Sequence, residues 1–248
     1  MTGRDGMGQA IVTGATGGIG RAIALALRDG GYSVLAIGRD RDALDRLGTE
    51  PGIHAVQADV TDAAALAEAV AGTAPDVLVN NAGLMPRMAN FCDLDPGEID
   101  RALSVNLRSV LMLTRLVVPG MRARGRGHVF FTGSTAGHAP FQNLAVYCAT
   151  KAAIAGFAQA LRLDLAASRV RVTEIVAGRV ETGLYRDLLS PEARAAMYAG
   201  NSAVQPEDVA QMVMAVLGLP AHVDVSRFDI LPTQQATATG GAQKEKNS

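Results

Sequence analysis

The sequence has few of the residues that build metal centres. Its 248 residues include two cysteines, Cys92 and Cys148, and four histidines that are scattered singly along the chain. The cysteines lack the spacing of metal ligands, and no paired histidine, cysteine or carboxylate pattern of a zinc or similar site is present in the sequence. We therefore expect no metal site.

The chain also lacks a strong charge of either sign. Its formal net charge is −1, which provides no steering field for nucleic acid or for an anionic membrane. We expect no membrane span, because no apolar stretch of the sequence approaches the required length. The N-terminal sequence "MTGRDGMGQ" has no apolar core of a secretory signal. These absences predict a cytoplasmic protein whose partner is a small molecule, with no nucleic acid and no membrane partner.

Short apolar runs alternate with longer segments of helical periodicity, which is the pattern of a parallel sheet covered on both faces. Strands are predicted at 9–13, 33–37, 53–58, 76–80, 128–133, 170–176 and 227–231. Helices are predicted at 18–29, 40–48, 62–72, 96–124, 145–168 and 206–218. The predicted fold class is α/β, a doubly wound parallel sheet of about seven strands with helices on both faces.

The length would allow one large domain or two small ones, and no Pro- or Ser-rich linker divides the strands into groups. One domain over residues 1–239 is the simplest interpretation. Residues 183–205 form a long insertion that we expect to act as a substrate loop, and the polar end at 240–248 is expected to be disordered.

The first predicted strand runs into the glycine-rich sequence "TGATGGIG" at residues 13–20. Glycines 14, 18 and 20 allow a tight turn, and the helix that begins there offers free N–H groups and its positive dipole end to a phosphate. A glycine cluster that follows a strand and opens a helix favours a dinucleotide site over a packing turn with no ligand.

The second predicted strand ends in "GRD", where proteins of this fold bind the adenosine ribose. A site that prefers NAD places an acidic residue there, whereas Arg39 offers a planar fork that matches the oxygens of a 2′-phosphate. We therefore predict NADP, with NAD less favoured. Asp40 is adjacent, and Arg39 could instead be an ordinary solvated charge.

Tyr147 and Lys151 are four residues apart in an alanine-rich helical segment. Positions i and i+4 lie on one face of a helix, so the phenol and the ammonium can converge on one point. For this pair alone, a surface tyrosine beside a solvated lysine is the simpler explanation, and other motifs must decide.

Five short motifs occur in a particular order: "TGATGGIG", "NNAG" at 80–83, "SVN" at 104–106, "GSTAG" at 133–137 and "YCATK" at 147–151. In order and spacing they resemble the classical short-chain dehydrogenase/reductase family, and the resemblance covers nearly the whole chain. It implies a Rossmann fold and an oxidoreductase that transfers a hydride between a nicotinamide and a secondary alcohol or ketone.

The resemblance implies four catalytic residues. Tyr147 would be the general acid in reduction and the base in oxidation. Lys151, together with the positive charge of an oxidised nicotinamide, would lower the pKa of the Tyr147 phenol, and Lys151 would also hold the nicotinamide ribose. Ser134 would donate a hydrogen bond to the substrate carbonyl oxygen. Asn106 would bind a water that links Lys151 to solvent.

The same resemblance implies contacts with the cofactor along the chain. Asp59 and Val60 match positions that contact the adenine, and the loop "AGRVET" at 177–182 has Ala177 where the family has a proline, which puts the rigidity of that loop in doubt. Together with Arg39, the expected cofactor residues are Gly14, Thr16, Gly18, Ile19, Gly20, Asp59, Val60, Asn81, Ala82, Gly83, Tyr147, Lys151, Gly178, Val180 and Thr182.

Substrate recognition is expected in loops at the carboxyl ends of the strands. The segments 84–97, 135–146 and 183–205 should form the walls of the pocket. The expected substrate residues are Ser134, Gln142, Tyr147, Arg179 and Arg186. An arginine near the nicotinamide suits a carboxylate, sulfonate or phosphate, although each arginine could also be a solvated loop charge.

Two longer segments resemble the subgroup of this family that oxidises 3-hydroxy acids such as serine with NADP and that forms tetramers. These are "GRGHVFFTGSTAGHAPFQNLAVYCATKA" and "LPAHVDVSRFDILPTQQA". A small polar hydroxy acid is therefore favoured as substrate. The alternative is a reductase of a bulkier ketone, such as a 3-oxoacyl thioester, polyketide, sugar or steroid.

A third class is a cofactor-sensing regulator on the same fold, which would not need the intact set Asn106, Ser134, Tyr147 and Lys151.

The long helices predicted at 96–124 and 145–168 have more apolar surface than one side of a sheet can cover. A homotetramer is therefore expected, and a dimer is the next possibility.

Overall fold

Seven short runs form one parallel sheet in the computed structural model, which describes residues 8–186 and 188–234. The strands are β1 (Gln9–Thr13), β2 (Ser33–Gly38), β3 (Ile53–Gln57), β4 (Val77–Asn80), β5 (Gly127–Thr132), β6 (Val170–Ala177) and β7 (Arg227–Ile230). Their spatial order is β3-β2-β1-β4-β5-β6-β7, with the reversal of strand order between β1 and β4. In sheets of this type, ligands bind beyond the carboxyl ends of the strands at such a reversal.

Helices connect the strands. They are α1 (Gly18–Asp29), α2 (Arg41–Gly48), α3 (Ala63–Val70), α4 (Pro96–Leu103), α5 (Ser109–Arg124), α6 (Ala145–Leu165), α7 (Pro191–Tyr198) and α8 (Pro206–Leu217). The predicted fold class is confirmed, and each predicted strand lies within one residue of an observed one. Asp40 and Asp62, predicted as helical, are instead the N-caps of α2 and α3, where their carboxylates accept backbone N–H groups.

Two predicted segments are more complex than expected. The single helix predicted at 96–124 is divided by a π-helical turn over Ser104–Arg108. The insertion at 183–205 contains α7, which begins at Pro191 after the capping hydroxyl of Ser190. The predicted tail at 240–248 lies outside the described residues.

The two faces of the sheet have separate apolar layers because alternate side chains of each strand point in opposite directions. On one face, Val12, Phe130 and Ile175 pack with residues of α1 and α8. On the other, Leu78 and Phe131 pack with residues of α3, α5 and α6. Helices thus cover both faces and leave the strand ends for binding.

One helical stretch corrects the sequence analysis. Pro96–Arg124 is long enough to cross a membrane, and its most apolar 18-residue window has a mean hydropathy of 1.3, so the expectation that no stretch approaches such a span is wrong. Half of its most apolar window is buried inside the fold. A core helix passes the same test, and the packing of α5 against the sheet explains its composition.

His128 is a buried polar side chain at the start of β5, with only 1% of its surface exposed. The Thr173 hydroxyl donates to the Val225 carbonyl at 2.6 Å, so its oxygen is left to accept from Nε2 of His128 at 2.7 Å. Nδ1 has no hydrogen-bond partner among the described residues. Burial lowers the pKa of His128 from 6.5 to about 2, so the native ring is neutral.

This histidine should make the protein less stable in acid. Below about pH 6.5 the unfolded chain binds a proton at His128 that the native state cannot bind, so each further pH unit removes ~1.4 kcal/mol from the free energy of unfolding until the native pKa is reached. Urea titrations across the acid range measure how the free energy of unfolding depends on pH. In His128→Leu this dependence should be smaller by the equivalent of about one bound proton. His54→Leu, at an exposed position, is the matched control. An unchanged slope in His128→Leu would contradict the assignment.

Candidate active site

A cavity of about 1200 Å³ opens at the carboxyl ends of the strands. Its walls come from the segments that follow β1, β2, β3, β4, β5 and β6, and from the end of β7. This volume exceeds that of an ordinary drug-sized pocket and is large enough for a dinucleotide together with a small substrate.

The turn between β1 and α1 forms one end of the cavity. Its N-cap, Gly17, has no side chain to satisfy the free N–H groups of α1, and the first turn of the helix contains no acidic residue. Gly14 and Gly18 have φ angles of +65° and +50°, and a Cβ at either position would come within 2.9 Å of its neighbours. This glycine cradle therefore fits a phosphate, which would bind to the uncapped N–H groups and the positive helix end.

The other residues of this turn divide into two groups. Thr16, Gly18 and Ile19 line the cavity, as does Gly14. Gly20 does not: it packs against the Gly14 carbonyl oxygen, and a Cβ there would overlap with it. The structure thus shows a packing role for Gly20, and its contact with a cofactor stays a prediction.

Positive charge gathers where β2 ends. Arg39 lines the cavity and lies 3.8 Å from the Asp59 carboxylate, with both side chains about half exposed. Asp59 also accepts hydrogen bonds from the backbone N–H and the hydroxyl of Thr61, which hold the pKa of its carboxyl below the usual value. Asp40 accepts from the Ala43 N–H at 3.0 Å as the cap of α2. Asp40 also lines the cavity, but one of its carboxylate oxygens is used as the cap of α2, whereas the Arg39 guanidinium pairs only loosely with Asp59.

Asn81 holds together three central strands. Its amide donates to the Thr13 carbonyl at 3.1 Å, and its oxygen accepts from the Thr132 hydroxyl at 3.2 Å. Asn81, Ala82 and Gly83 line the cavity after β4, and Val60 lines it after β3. The hydrogen bonds of Asn81 thus join the carboxyl ends of β1, β4 and β5, where this part of the predicted cofactor site lies.

Tyr147, Lys151 and Ser134 line the same cavity. The Lys151 Nζ lies 5.7 Å from the centre of the Tyr147 ring and donates to the Thr132 carbonyl at 2.7 Å. Both side chains are almost fully buried, although both reach the cavity wall. The Ser134 hydroxyl accepts from the Ala136 N–H at 3.1 Å, which fixes it at the end of β5 beside the phenol. The structure thus brings together the tyrosine, the lysine and the serine predicted as catalytic.

Burial dominates the pKa values of the tyrosine and the lysine. Burial raises the pKa of Tyr147 to about 12, with the Ser134 hydroxyl acting in the opposite direction. Burial lowers the pKa of Lys151 to about 8. The lowering of the Tyr147 pKa expected from Lys151 together with an oxidised nicotinamide stays a prediction.

Asn106 lies in the π-helical turn between α4 and α5. Its amide nitrogen donates to the Leu84 carbonyl and its oxygen accepts from the Leu84 N–H, both at 2.8 Å. The same amide nitrogen lies 3.3 Å from the Thr150 hydroxyl on α6. A Cβ on Gly83 would lie 3.5 Å from the Asn106 oxygen and 3.9 Å from the Lys151 Nζ. Asn106 therefore does not line the cavity but supports its wall beside Lys151; its relay role stays a prediction.

The loop "AGRVET" is held by backbone hydrogen bonds although it lacks the proline. The Gly178 N–H donates to the Ile230 carbonyl at 2.9 Å, and Val180 forms a parallel bridge with Val204. Thr182 caps the turn that follows, accepting the Leu184 N–H at 3.3 Å. Gly178, Val180 and Thr182 all line the cavity. Contacts to β7 and to the end of the insertion thus fix the backbone of this loop at Gly178 and Val180.

The substrate end of the cavity contains two of the predicted arginines. Arg179 and Arg186 line it, and Nη1 of Arg179 donates to the Met197 carbonyl of α7 at 3.2 Å. Burial raises the pKa of Tyr185, and the positive charge of Arg179 acts in the opposite direction. Tyr185 in turn contributes to the raised pKa of Tyr147. Gln142 is exposed and is not among the residues that line the cavity.

Sequence analysis missed two residues as site candidates. Arg46 lines the cavity from α2, one helical turn beyond the cavity-lining Ala43. Its i+3 spacing from Ala43 was a signal available in the sequence. Tyr185 lines the same cavity as Tyr147, and it lies within the insertion at 183–205.

A family model described as short chain dehydrogenase matches residues 9–193. Because this match covers well over half of the chain, the protein belongs to the short-chain dehydrogenase family, and the resemblance found in the sequence is confirmed.

Individual relatives extend the match to almost the full length. The chain is 50% identical over 240 residues to an uncharacterized short-chain type dehydrogenase/reductase of Sinorhizobium fredii, covering 96% of both chains. It is 37% identical over 238 residues to the NADP-dependent 3-hydroxy acid dehydrogenase YdfG of Salmonella typhi, covering 92% of this chain and 96% of the relative. A solved structure of the closed form of serine dehydrogenase complexed with NADP+ superimposes with a TM-score of 0.89 at 34% identity, covering 96% and 100% of the two chains.

Proposed function

We propose that this protein is an NADP(H)-dependent oxidoreductase of a small polar hydroxy acid. The observation that carries the proposal is one cavity that is lined both by the glycine cradle and Arg39 and by Tyr147, Lys151 and Ser134. Relatives whose names specify NADP and 3-hydroxy acids match along almost the whole chain, which supports the same cofactor and substrate class.

The cofactor site follows from the cavity wall. The N-terminus of α1 would hold the pyrophosphate, and Arg39 with Arg46 would hold the 2′-phosphate. Asp59 and Val60 would contact the adenine, Lys151 the nicotinamide ribose, and Thr182 the carboxamide. When bound, the nicotinamide supplies or accepts the hydride.

Tyr147 moves the proton that accompanies the hydride. With a pKa of about 12, its phenol is protonated at neutral pH and is ready to donate to a carbonyl oxygen. In the oxidative direction the phenol must lose its proton. A protonated Lys151 beside it favours the phenolate, and the Ser134 hydroxyl orients the substrate oxygen.

The insertion at 183–205 is proposed to act as the substrate loop of a single domain. Its two ends are joined by the bridge between Val180 and Val204, and the Arg179 side chain is tied to α7. Closure of this loop would bring the guanidinium of Arg186 onto a substrate carboxylate, while Arg179 supplies positive charge from the more rigid strand end.

The bulkier-ketone alternative has less support. A carrier-linked substrate would require a basic surface beside the cavity, and the basic cluster "MRARGRGH" lies at the amino end of β5. Within it, Arg124 donates to the Pro75 carbonyl and Arg126 pairs with Asp76 at 2.9 Å. This cluster faces away from the cavity.

The direct test is an absorbance screen for reduced nicotinamide. NADP⁺ and NAD⁺ would each be combined with panels of hydroxy acids, polyols and neutral secondary alcohols. Turnover of a small hydroxy acid with NADP⁺ is the expected result. Turnover confined to the reduction of large ketones would favour the alternative, and no turnover with any substrate would contradict the enzyme proposal.

Arg186→Ala tests the hydroxy-acid assignment. Loss of a charge-assisted hydrogen bond, roughly 1.5–3 kcal/mol, should raise KM for the acid by about one to two orders of magnitude. A neutral alcohol of similar size is the internal control and should be little affected. Equal losses on both substrates would instead indicate a role in folding the loop, and no loss on either would remove Arg186 from the site.

A homotetramer acting in the cytoplasm completes the proposal, with a dimer as the next possibility. Met112 and Leu116 on α5 and Leu163 on α6 are exposed apolar side chains that a symmetry mate could cover. The two cysteines are unpaired, as is usual in a reducing compartment. Light scattering at micromolar concentration measures the assembly, and a monomer would contradict it.

A further inference from the structure

A carboxylate is buried directly behind the catalytic wall. Glu174 lies inside β6, paired in register with Phe131 of β5, and only 2% of its side chain is exposed. It shares the sheet face of Val170 and Val172, whose side chains belong to the apolar layer under α6. Glutamate is almost never fully buried without a partner, because the charge loses its hydration.

His138 is that partner. Its Nε2 lies 3.0 Å from Oε1 of Glu174, within range to donate a hydrogen bond. His138 follows the turn Thr135–Gly137, which Ser134 caps, and 27% of its side chain is exposed. The pair therefore joins β6 to the turn that holds the catalytic serine.

The backbone of β5 connects Glu174 to Lys151. A Cβ on Gly133 would overlap with Oε1 of Glu174, so the carboxylate packs against the backbone of this glycine. Thr132, the preceding residue, accepts the Lys151 Nζ through its carbonyl at 2.7 Å. On α6, the backbone of Lys151 also packs closely on Gly137, just before His138.

Lys151 is enclosed and needs a counter-charge. Burial lowers its pKa to about 8, and the negative charge of Glu174 is the interaction that raises it in opposition. Without that charge, the ammonium would be deprotonated at lower pH.

We propose that Glu174 is a positioning residue that keeps Lys151 protonated, and that His138 holds the Glu174 carboxylate in place against the backbone of Gly133 by donating a hydrogen bond to it. Neither residue lines the cavity, so both act through Lys151. The inference rests on the proposed function, since only a proton-transfer site of this kind requires the ammonium.

The other groups near the Lys151 ammonium are a phenol and uncharged groups. Tyr147 lies beside it on α6, and Cys148 and Tyr185 act on that phenol. Gly83 and Asn106 approach it from β4 and the π-helical turn without charge. In the described part of the chain, Glu174 is thus the carboxylate that acts on Lys151.

The test measures Lys151 directly by NMR on ¹³C-lysine-labelled protein without added cofactor. The chain has three lysines, and the other two are Lys244 and Lys246, so the spectrum has few signals to assign. Glu174→Gln should lower the pKa of Lys151 by roughly one unit. Glu174→Asp retains the charge and should restore most of it.

Asp76→Asn is the matched control. It removes the same charge from a largely buried carboxylate at the amino end of the sheet, where Asp76 pairs with Arg126. This variant should leave the Lys151 pKa unchanged. A purely structural role of Glu174 would lower the melting temperature without moving that pKa, and this result would overturn the proposal.

His138→Ala provides a second variant at a partly exposed position, and it decides the matter if Glu174→Gln does not fold. Without its hydrogen-bond donor, the Glu174 carboxylate is no longer held behind Lys151, so the Lys151 pKa should again fall. His138→Gln keeps a donor and should restore it. An unchanged Lys151 pKa in folded His138→Ala would overturn the role of the pair.

Activity gives a separate readout. In ketone reduction, the alkaline decline of kcat/KM should begin at lower pH in Glu174→Gln than in the wild type, because Lys151 loses its proton earlier. Wild-type protein that turns over no substrate would contradict the proposed function and leave the NMR result standing. An unmoved alkaline decline in an active, folded variant would contradict the Glu174 proposal alone.

Discussion

Tyr147→Phe is expected to remove almost all turnover while leaving cofactor affinity nearly unchanged. The substitution deletes the phenolic hydroxyl with its proton and keeps the ring. Tyr147 is buried, with 6% of its surface exposed, so the ring should hold its place. General acid–base catalysis contributes about 10²- to 10⁴-fold to rate, so a loss of that size is expected in kcat. Steady-state kinetics measure the rate, and the fluorescence of reduced nicotinamide measures binding without tryptophan background, since the chain has no tryptophan.

Tyr32→Phe is the control for this prediction, because Tyr32 precedes β2 at the amino end of the sheet. It should retain wild-type kinetics. Residual activity of Tyr147→Phe within about tenfold of the wild type, equivalent to only ~1.4 kcal/mol of barrier, would contradict the assignment.

Lys151→Ala should impair both rate and cofactor binding, since it removes a charge beside the phenol and the proposed ribose contact.

Arg39→Ala is expected to erase most of a preference for NADP(H) over NAD(H). Charge-assisted hydrogen bonds contribute roughly 1.5–3 kcal/mol, which corresponds to about one to two orders of magnitude in affinity. Arg39 already lies at the cavity wall, and its exposed pairing with Asp59 at 3.8 Å is weak enough to be exchanged for a phosphate. Ratios of kcat/KM for the two cofactors measure the effect.

Arg41→Ala is the matched control, since Arg41 is two residues away but does not line the cavity. Its Nη1 instead lies 3.3 Å from the Gln57 side chain. The cofactor ratio should not change in this variant. Equal use of both cofactors by the wild type would contradict the interpretation of Arg39.

Much of the candidate site could be predicted because its residues occur in short motifs fixed to strand ends. Tyr147 and Lys151 are spaced for one helical face, and the glycine turn between β1 and α1 needs no distant partner to be recognised. Gln142 shows the limit of this approach. It belongs to a segment predicted to form the pocket wall, but the direction of a loop side chain depends on tertiary packing.

The sequence by itself determined the succession of the seven strands along the chain, the glycine turn after the first of them, and the spacing of Tyr147 and Lys151, the pair proposed for proton transfer. These features depend on local periodicity and on residues a few positions apart. Only the tertiary structure decided the protonation chemistry. The burial that raises the pKa of Tyr147 and lowers that of Lys151, and the approach of Glu174 to the back of the site, arise where β5, β6 and α6 pack together. Desolvation depends on neighbours distant in sequence, so no motif of either residue could reveal it.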